Sequence, residues 1–179
     1  MVGYVGGSPF VLQEIYGASP QQYAAIFGIN AIFMVGGAQL NAHLLGRRPA
    51  RQLLGVGVLA LVCAGTLLLA AAGLGQESLL IITPPLSLLA FSWSFIQANA
   101  LGLALHDHPF EAGVTASLFG VSMYALGALI APLVTSGADE MALSMAAVIA
   151  FCAFGAGLSL RKYVPMTPPM AQLESGRLD

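Results

Sequence analysis

The sequence predicts an all-α integral membrane protein, a half-bundle of five complete transmembrane helices preceded by one truncated helix. Three observations predict it. Of 179 residues, 58% are hydrophobic and only 8% are charged, where a soluble domain carries roughly 25% charged residues. Mean hydropathy is +0.83. Five stretches are long and apolar enough to cross a hydrocarbon core about 30 Å thick. This composition excludes a soluble globular domain and a disordered tail. Six Lys+Arg stand against eight Asp+Glu, a net charge of −2. That is too few cations for a basic nucleic-acid face.

The first element is short. Residues 2–15 are apolar up to Leu12 and then reach Gln13 and Glu14. Fourteen residues rise only about 21 Å as a helix. They lack the positive start of a cleaved leader. We expect the second half of a transmembrane helix whose first half is missing. Complete spans follow over 20–45, 52–74, 78–105, 112–134 and 140–160. Residues 1–160 then form one six-helix transmembrane half-domain, and 161–179 form a tail with Pro165, Pro168 and Pro169.

Turn chemistry separates the spans. Tyr16-Gly17-Ala18-Ser19-Pro20 places a capping serine before a proline at the first helical position. Gly46-Arg47-Arg48-Pro49 ends the next span, and residues 73–78 make a polar bend. His106 to Glu111 form the next connection, and Ser136 to Glu140 the last, with acids at a helix start where the dipole favours them. Connections this short predict that consecutive helices are antiparallel neighbours. The six cations are Arg47, Arg48, Arg51, Arg161, Lys162 and Arg177. Four crossings separate the arginine loop from the tail, so all six fall on one side. The positive-inside rule assigns that side, with the C-terminus, to the cytoplasm.

Polar residues at membrane depth are costly unless they face other helices or a water-filled cavity. In 20–45, Asn30, Gly37 and Asn41 fall within about 40° of one another. In 78–105, Trp93, Gln97 and Ala100 share a face with Asn99 beside it. In 112–134, Ser117, Gly120, Tyr124 and Ala128 share a face. The spans 52–74 and 140–160 carry few polar residues and read as lipid-facing supports. Such amides and hydroxyls either line a pathway or join helices by hydrogen bonds worth roughly 1 kcal/mol. Three helices that each carry a polar face favour a pathway. Pro84-Pro85 and Pro132 each remove backbone donors. They either border a transport site or only curve their helices.

Little else carries chemistry. Cys63 and Cys152 sit in apolar runs and read as small packing residues. His106-Asp107-His108 lies in a connection without a further ligand cluster, so no metal site is expected. There is no nucleophile elbow, phosphate loop or partnered serine, so neither catalytic residues nor a cofactor are expected.

The order of short motifs resembles the Bcr/CflA family of bacterial drug-resistance transporters, within the major facilitator superfamily. Ser8-Pro9-Phe10-Val11-Leu12-Gln13, Tyr16-Gly17, Ser19-Pro20-Gln21 and Phe27-Gly28-Ile29-Asn30-Ala31 carry the first part of the resemblance. Gln97-Ala98-Asn99-Ala100 resembles the family's Pro-Asn-Ala stretch, with Ala98 in place of the proline. His106 to Pro109, Ala112-Gly113 and Ala116-Ser117-Leu118-Phe119-Gly120 carry the rest. The resemblance runs over about residues 4–160.

It implies the second half of a twelve-helix protein of the inner membrane, helices 7–12, whose partner is the missing N-terminal six-helix half. Helices 7, 8, 10 and 11 would line the cavity, with 9 and 12 outside. It implies proton-coupled export of drug-like small molecules. Asn30, Asn41, Trp93, Gln97, Asn99 and Tyr124 become the candidate substrate-binding residues. The membrane carboxylates that usually carry the proton are absent, and Glu14, near a span end, reads as a solvated interfacial acid. Two alternatives stand beside export: an uptake carrier of the same superfamily, and a stand-alone or homodimeric helical membrane protein with a structural or interaction role.

Overall fold

Backbone self-satisfaction in five long apolar segments dictates what the structure, a computed structural model, contains. It describes residues 9–74, 78–107, 109–135 and 141–163. The start of the truncated helix, the bend at 75–77, His108, the 136–140 connection and the tail from 164 lie outside the described residues. A short π-helical segment, Phe10–Ile15, comes first. Then follow α1 (Pro20–Leu45), α2 (Ala50–Gly73), α3 (Leu79–Asp107), a 3-10 turn (Pro109–Glu111), α4 (Ala112–Thr135) and α5 (Met141–Tyr163). Each of the five α-helices is long and apolar enough to span a bilayer.

Local chemistry explains the boundaries. Gly17 adopts φ +63, a left-handed conformation suited to glycine. The turn it makes closes when the Ala18 N–H donates to the Leu12 carbonyl at 2.9 Å. Ser19 then caps α1. Its Oγ accepts from the Gln22 N–H at 3.2 Å, and its own N–H donates to Gln22 Oε1 at 2.8 Å. This is a reciprocal capping box with Pro20 in the first turn. At the other end of α1, the Arg47 and Arg48 N–H groups both donate to the Leu44 carbonyl at 2.8 Å. α3 continues through Pro84 and Pro85. Both lie in its second turn, so they free only the Leu80 and Ile81 carbonyls without ending the helix.

The packing order departs from the expectation that consecutive helices are neighbours. α2 packs closely on α3, but α1 packs mainly on α3, and α5 mainly on α2; α1 touches α2 only slightly, and α4 makes limited contact with α5 and less with α3. α2 is therefore central rather than a lipid-facing support. Eight of its residues are buried, against four in α1. The physical reason is small residues. Lipid tails are as apolar as leucine, so close backbone approach decides which helices associate. A Cβ at Gly57 of α2 would stand 2.8 Å from Phe95 Cβ and 3.0 Å from Ile96 Cγ1 of α3. A Cβ at Gly65 would stand 3.1 Å from Ala150 Cα of α5.

One apolar cluster joins five elements. Leu12, Ile26, Leu68, Leu86 and Ala146 come from the π-helical segment, α1, α2, α3 and α5 respectively, and all are buried. α4 contributes none, and its span from Ala112 to Ile130 has no buried residue. Cys63 and Cys152 are exposed on helix surfaces rather than packed inside. Periodicity explains this: both apolar helices turn one flank toward lipid, where a thiol is tolerated as a small apolar group.

Gly57→Ala should lower the stability of the detergent-solubilised chain by about 1–3 kcal/mol, the usual cost of overpacking. Gly102→Ala has open space around its Cβ position. It should leave the melting temperature unchanged or raise it, since alanine favours helix. Equal losses from both substitutions, read by thermal unfolding in micelles, would contradict the α2–α3 close approach.

Candidate substrate-binding faces

The α1 stripe Asn30, Gly37, Asn41 meets α3 directly. Ser87 Oγ donates to Asn30 Oδ1 at 2.8 Å. Ser94 Oγ donates to the Met34 carbonyl at 2.6 Å. Asn99 Nδ2 donates to Asn41 Oδ1 at 2.6 Å and to the Phe95 carbonyl at 2.7 Å. Rising numbers pair with rising numbers, so α1 and α3 run parallel, as helices two spans apart must. Between the upper and lower contacts the backbones close in. A Cβ at Gly37 would lie 3.0 Å from the Phe91 carbonyl oxygen and 3.3 Å from Ser94 Cβ. Asn30, Asn41, Ser87, Ser92, Ser94 and Asn99 are all buried.

This seam leaves one loose end. Asn99 Oδ1 is buried and accepts no hydrogen bond. Both acceptors near the side chain, Asn41 Oδ1 and the Phe95 carbonyl, face its amide nitrogen, which fixes the amide's orientation.

The six candidate residues therefore divide. Asn30, Asn41 and Asn99 lie in the α1–α3 seam, at 4%, 2% and 1% exposure. Trp93 and Gln97 are half-buried on α3. They stand about 100° and 60° around the helix from Ser94, on one adjoining face. Tyr124 is 65% exposed on α4 and is not brought together with the others. Nearby on α4, Ser117 Oγ donates back to the Gly113 carbonyl at 2.8 Å. Its hydroxyl is satisfied within its own helix. Glu14 is exposed, and so is His106 at the end of α3.

The structure adds a groove that polarity alone does not signal. About 630 Å³ lies between α1 and α3, lined by Ile29, Phe33, Leu80, Thr83, Pro84, Ser87, Leu88 and Phe91. Its two hydroxyls are already engaged. Thr83 Oγ1 donates to the Leu79 carbonyl at 2.6 Å, and Ser87 Oγ is held by Asn30. The walls are thus apolar and aromatic. Pro84, which the sequence reads as either bordering a transport site or only curving its helix, is one of the lining residues.

A double-mutant cycle on Asn41→Ala and Asn99→Ala should give a coupling energy of about 0.6–1.7 kcal/mol, the range for interhelical hydrogen bonds in membranes. Tyr124→Ala should change stability by less than about 0.5 kcal/mol, as surface changes do. Chemical unfolding in micelles checks both. A coupling of zero would remove the seam's polar contact from the stability of the bundle.

Comparison with known proteins agrees with this architecture. The chain is 30% identical over 132 residues to the uncharacterized MFS-type transporter YdgK of Bacillus subtilis (strain 168). The match takes in 73% of this chain and 32% of that protein, so the chain spans about a third of its relative's length. No protein-family model matches the chain, and no solved structure matches it. The chain is an all-α membrane half-bundle, and its likeness to an MFS-type transporter supports membership of the major facilitator superfamily.

Proposed function

We propose that the chain is the C-terminal half of a proton-coupled multidrug exporter of the bacterial inner membrane, with its C-terminus in the cytoplasm. The observation that carries this reading is the likeness to an MFS-type transporter. The geometry of α3 agrees with it. One side of α3 is bolted to α1 by Ser87, Ser94 and Asn99. The adjoining face presents Trp93 and Gln97, half-buried. Trp93 offers a π-face to a cationic or aromatic drug, and Gln97 offers both a donor and an acceptor. Tyr124, on the exposed α4, supplies a second aromatic surface once a partner half closes against it.

Alternating access in such folds is the rocking of one half against the other around a midplane site. α1 and α3, tied along their length, would move as one body. Asn30, Asn41 and Asn99 would then shape the site by holding α3 in place, while Trp93, Gln97 and Tyr124 would touch substrate. The titratable group that couples to protons would lie in the N-terminal half. A second reading, a homodimer restoring twelve helices, is favoured by the absence of any buried residue from Ala112 to Ile130 on α4. That face is suited to another bundle.

The experiment is dye accumulation in bacteria stripped of their own exporters. Expressed alone, the chain should give no net export of a cationic dye. Co-expressed with an N-terminal six-helix half, it should restore export that a protonophore abolishes. Export by the chain alone would overturn the half-transporter reading and favour the homodimer. In the assembled protein, Trp93→Ala should cut export by roughly 2- to 30-fold, the factor for 0.5–2 kcal/mol of lost cation–π attraction.

A further inference from the structure

The α2–α5 seam ends in a pair of arginines. A Cβ at Gly65 would meet Ala150 Cα at 3.1 Å, and one at Gly157 would meet Val58 Cγ1 at 3.9 Å. These two contacts fix one antiparallel register. Val58 and Gly65 are seven residues apart, as are Ala150 and Gly157, so each pair marks a single stripe on its helix. Seven residues before Val58 on the α2 stripe is Arg51. Four residues after Gly157 on the α5 stripe is Arg161. At 1.5 Å per residue they stand about 10 Å and about 6 Å beyond the last contact, within one helical turn of each other. Both are exposed.

The charged residues next to them along the chain are cations. Lys162 follows Arg161, and Arg47 and Arg48 close the turn before α2. Asp107 and Glu111 belong to the same end of the bundle, but on the α3–α4 connection. α3 meets α2 along the Gly57 stripe, about 100° around from Val58 and Arg51. Arg51 also sits in the first turn of α2, where the dipole is positive, and Pro49 gives that end no side-chain cap. Two guanidinium groups based within a helical turn of each other at a positive helix end favour an anion between them.

Depth selects the anion. The spans of α2 and α5 begin at Ala50 and end at Lys162, so both arginines lie where the hydrocarbon meets the headgroups. A phosphodiester is always present at that depth. Guanidinium forks bind it in bidentate fashion, and basic pockets between transmembrane helices take anionic headgroups. We propose that the Arg51–Arg161 end of the α2–α5 seam binds the headgroup phosphate of an anionic phospholipid.

Native mass spectrometry of the full chain in micelles, titrated with phosphatidylglycerol, phosphatidylcholine or inorganic phosphate, tests this. Phosphatidylglycerol should be retained at least 10-fold better than phosphatidylcholine, and millimolar inorganic phosphate should not displace it. The Arg51→Gln/Arg161→Gln variant should lose that retention about 10-fold. The Arg47→Gln/Arg48→Gln variant removes equal charge from the same end and should keep most of it. Should the first variant fail to fold, Arg51→Lys/Arg161→Lys keeps the charge, removes the forks and should bind about 3-fold less. Equal loss in the two glutamine variants, unchanged retention in the lysine variant, equal binding of phosphatidylcholine, or displacement by inorganic phosphate would each overturn the assignment.

Discussion

A polar side chain placed in hydrocarbon must find a partner in its own helix or on another, and here Ser87, Ser94 and Asn99 of α3 find theirs on α1. Ser87 meets Asn30, Ser94 meets the Met34 carbonyl, and Asn99 meets Asn41. The remaining arrangement follows from that pairing. α1 and α3 are separated in sequence by α2, yet they are bound side by side and parallel. α2 is left to pack on an adjoining side of α3, through Gly57, and to receive α5 at Gly65. α4 keeps an exposed surface from Ala112 to Ile130.

Two different forces thus set the seams. The α1–α3 seam combines hydrogen bonds with the close approach at Gly37. The α2–α3 and α2–α5 seams show close approach at Gly57 and Gly65. In lipid neither gains from burial of apolar area as a soluble core would. Van der Waals contact between backbones then does most of the work, and glycine admits it where a Cβ would collide. This explains why the polar-poor α2 buries twice as many residues as the more polar α1, which shows most of its surface.

The same division bears on function. Residues already engaged with a neighbouring helix are poor ligands for a changing substrate, because each bond to substrate must replace one within the protein. Asn30, Asn41 and Asn99 are engaged, although Asn99 retains one buried, unused acceptor. Trp93 and Gln97 occupy the adjoining face, and Tyr124 an exposed one. A groove walled by Phe33, Phe91 and Pro84 opens beside the seam. Under the proposed multidrug reading, adaptable apolar and aromatic surface matters more than fixed hydrogen bonds, and the described helices carry such surface on more than one side.

The sequence by itself determined the membrane class, the five long helices, the Ser19 cap with Pro20 after it, and the stripe that unites Asn30, Gly37 and Asn41. These are local properties: length against bilayer thickness, a 3.6-residue period, and side chains that reach three residues along the chain. Only the tertiary structure decided what each stripe faces. The Asn30–Asn41 stripe could have looked into water or onto any of four helices, and serines some 60 residues away made it a helix–helix contact. The order of packing was equally out of reach. Short connections suggested neighbouring succession, but which glycine fits against which facing surface is a question of shape between distant segments. The groove at Phe33 and Phe91 was hidden for the same reason, since it forms between two helices distant in sequence.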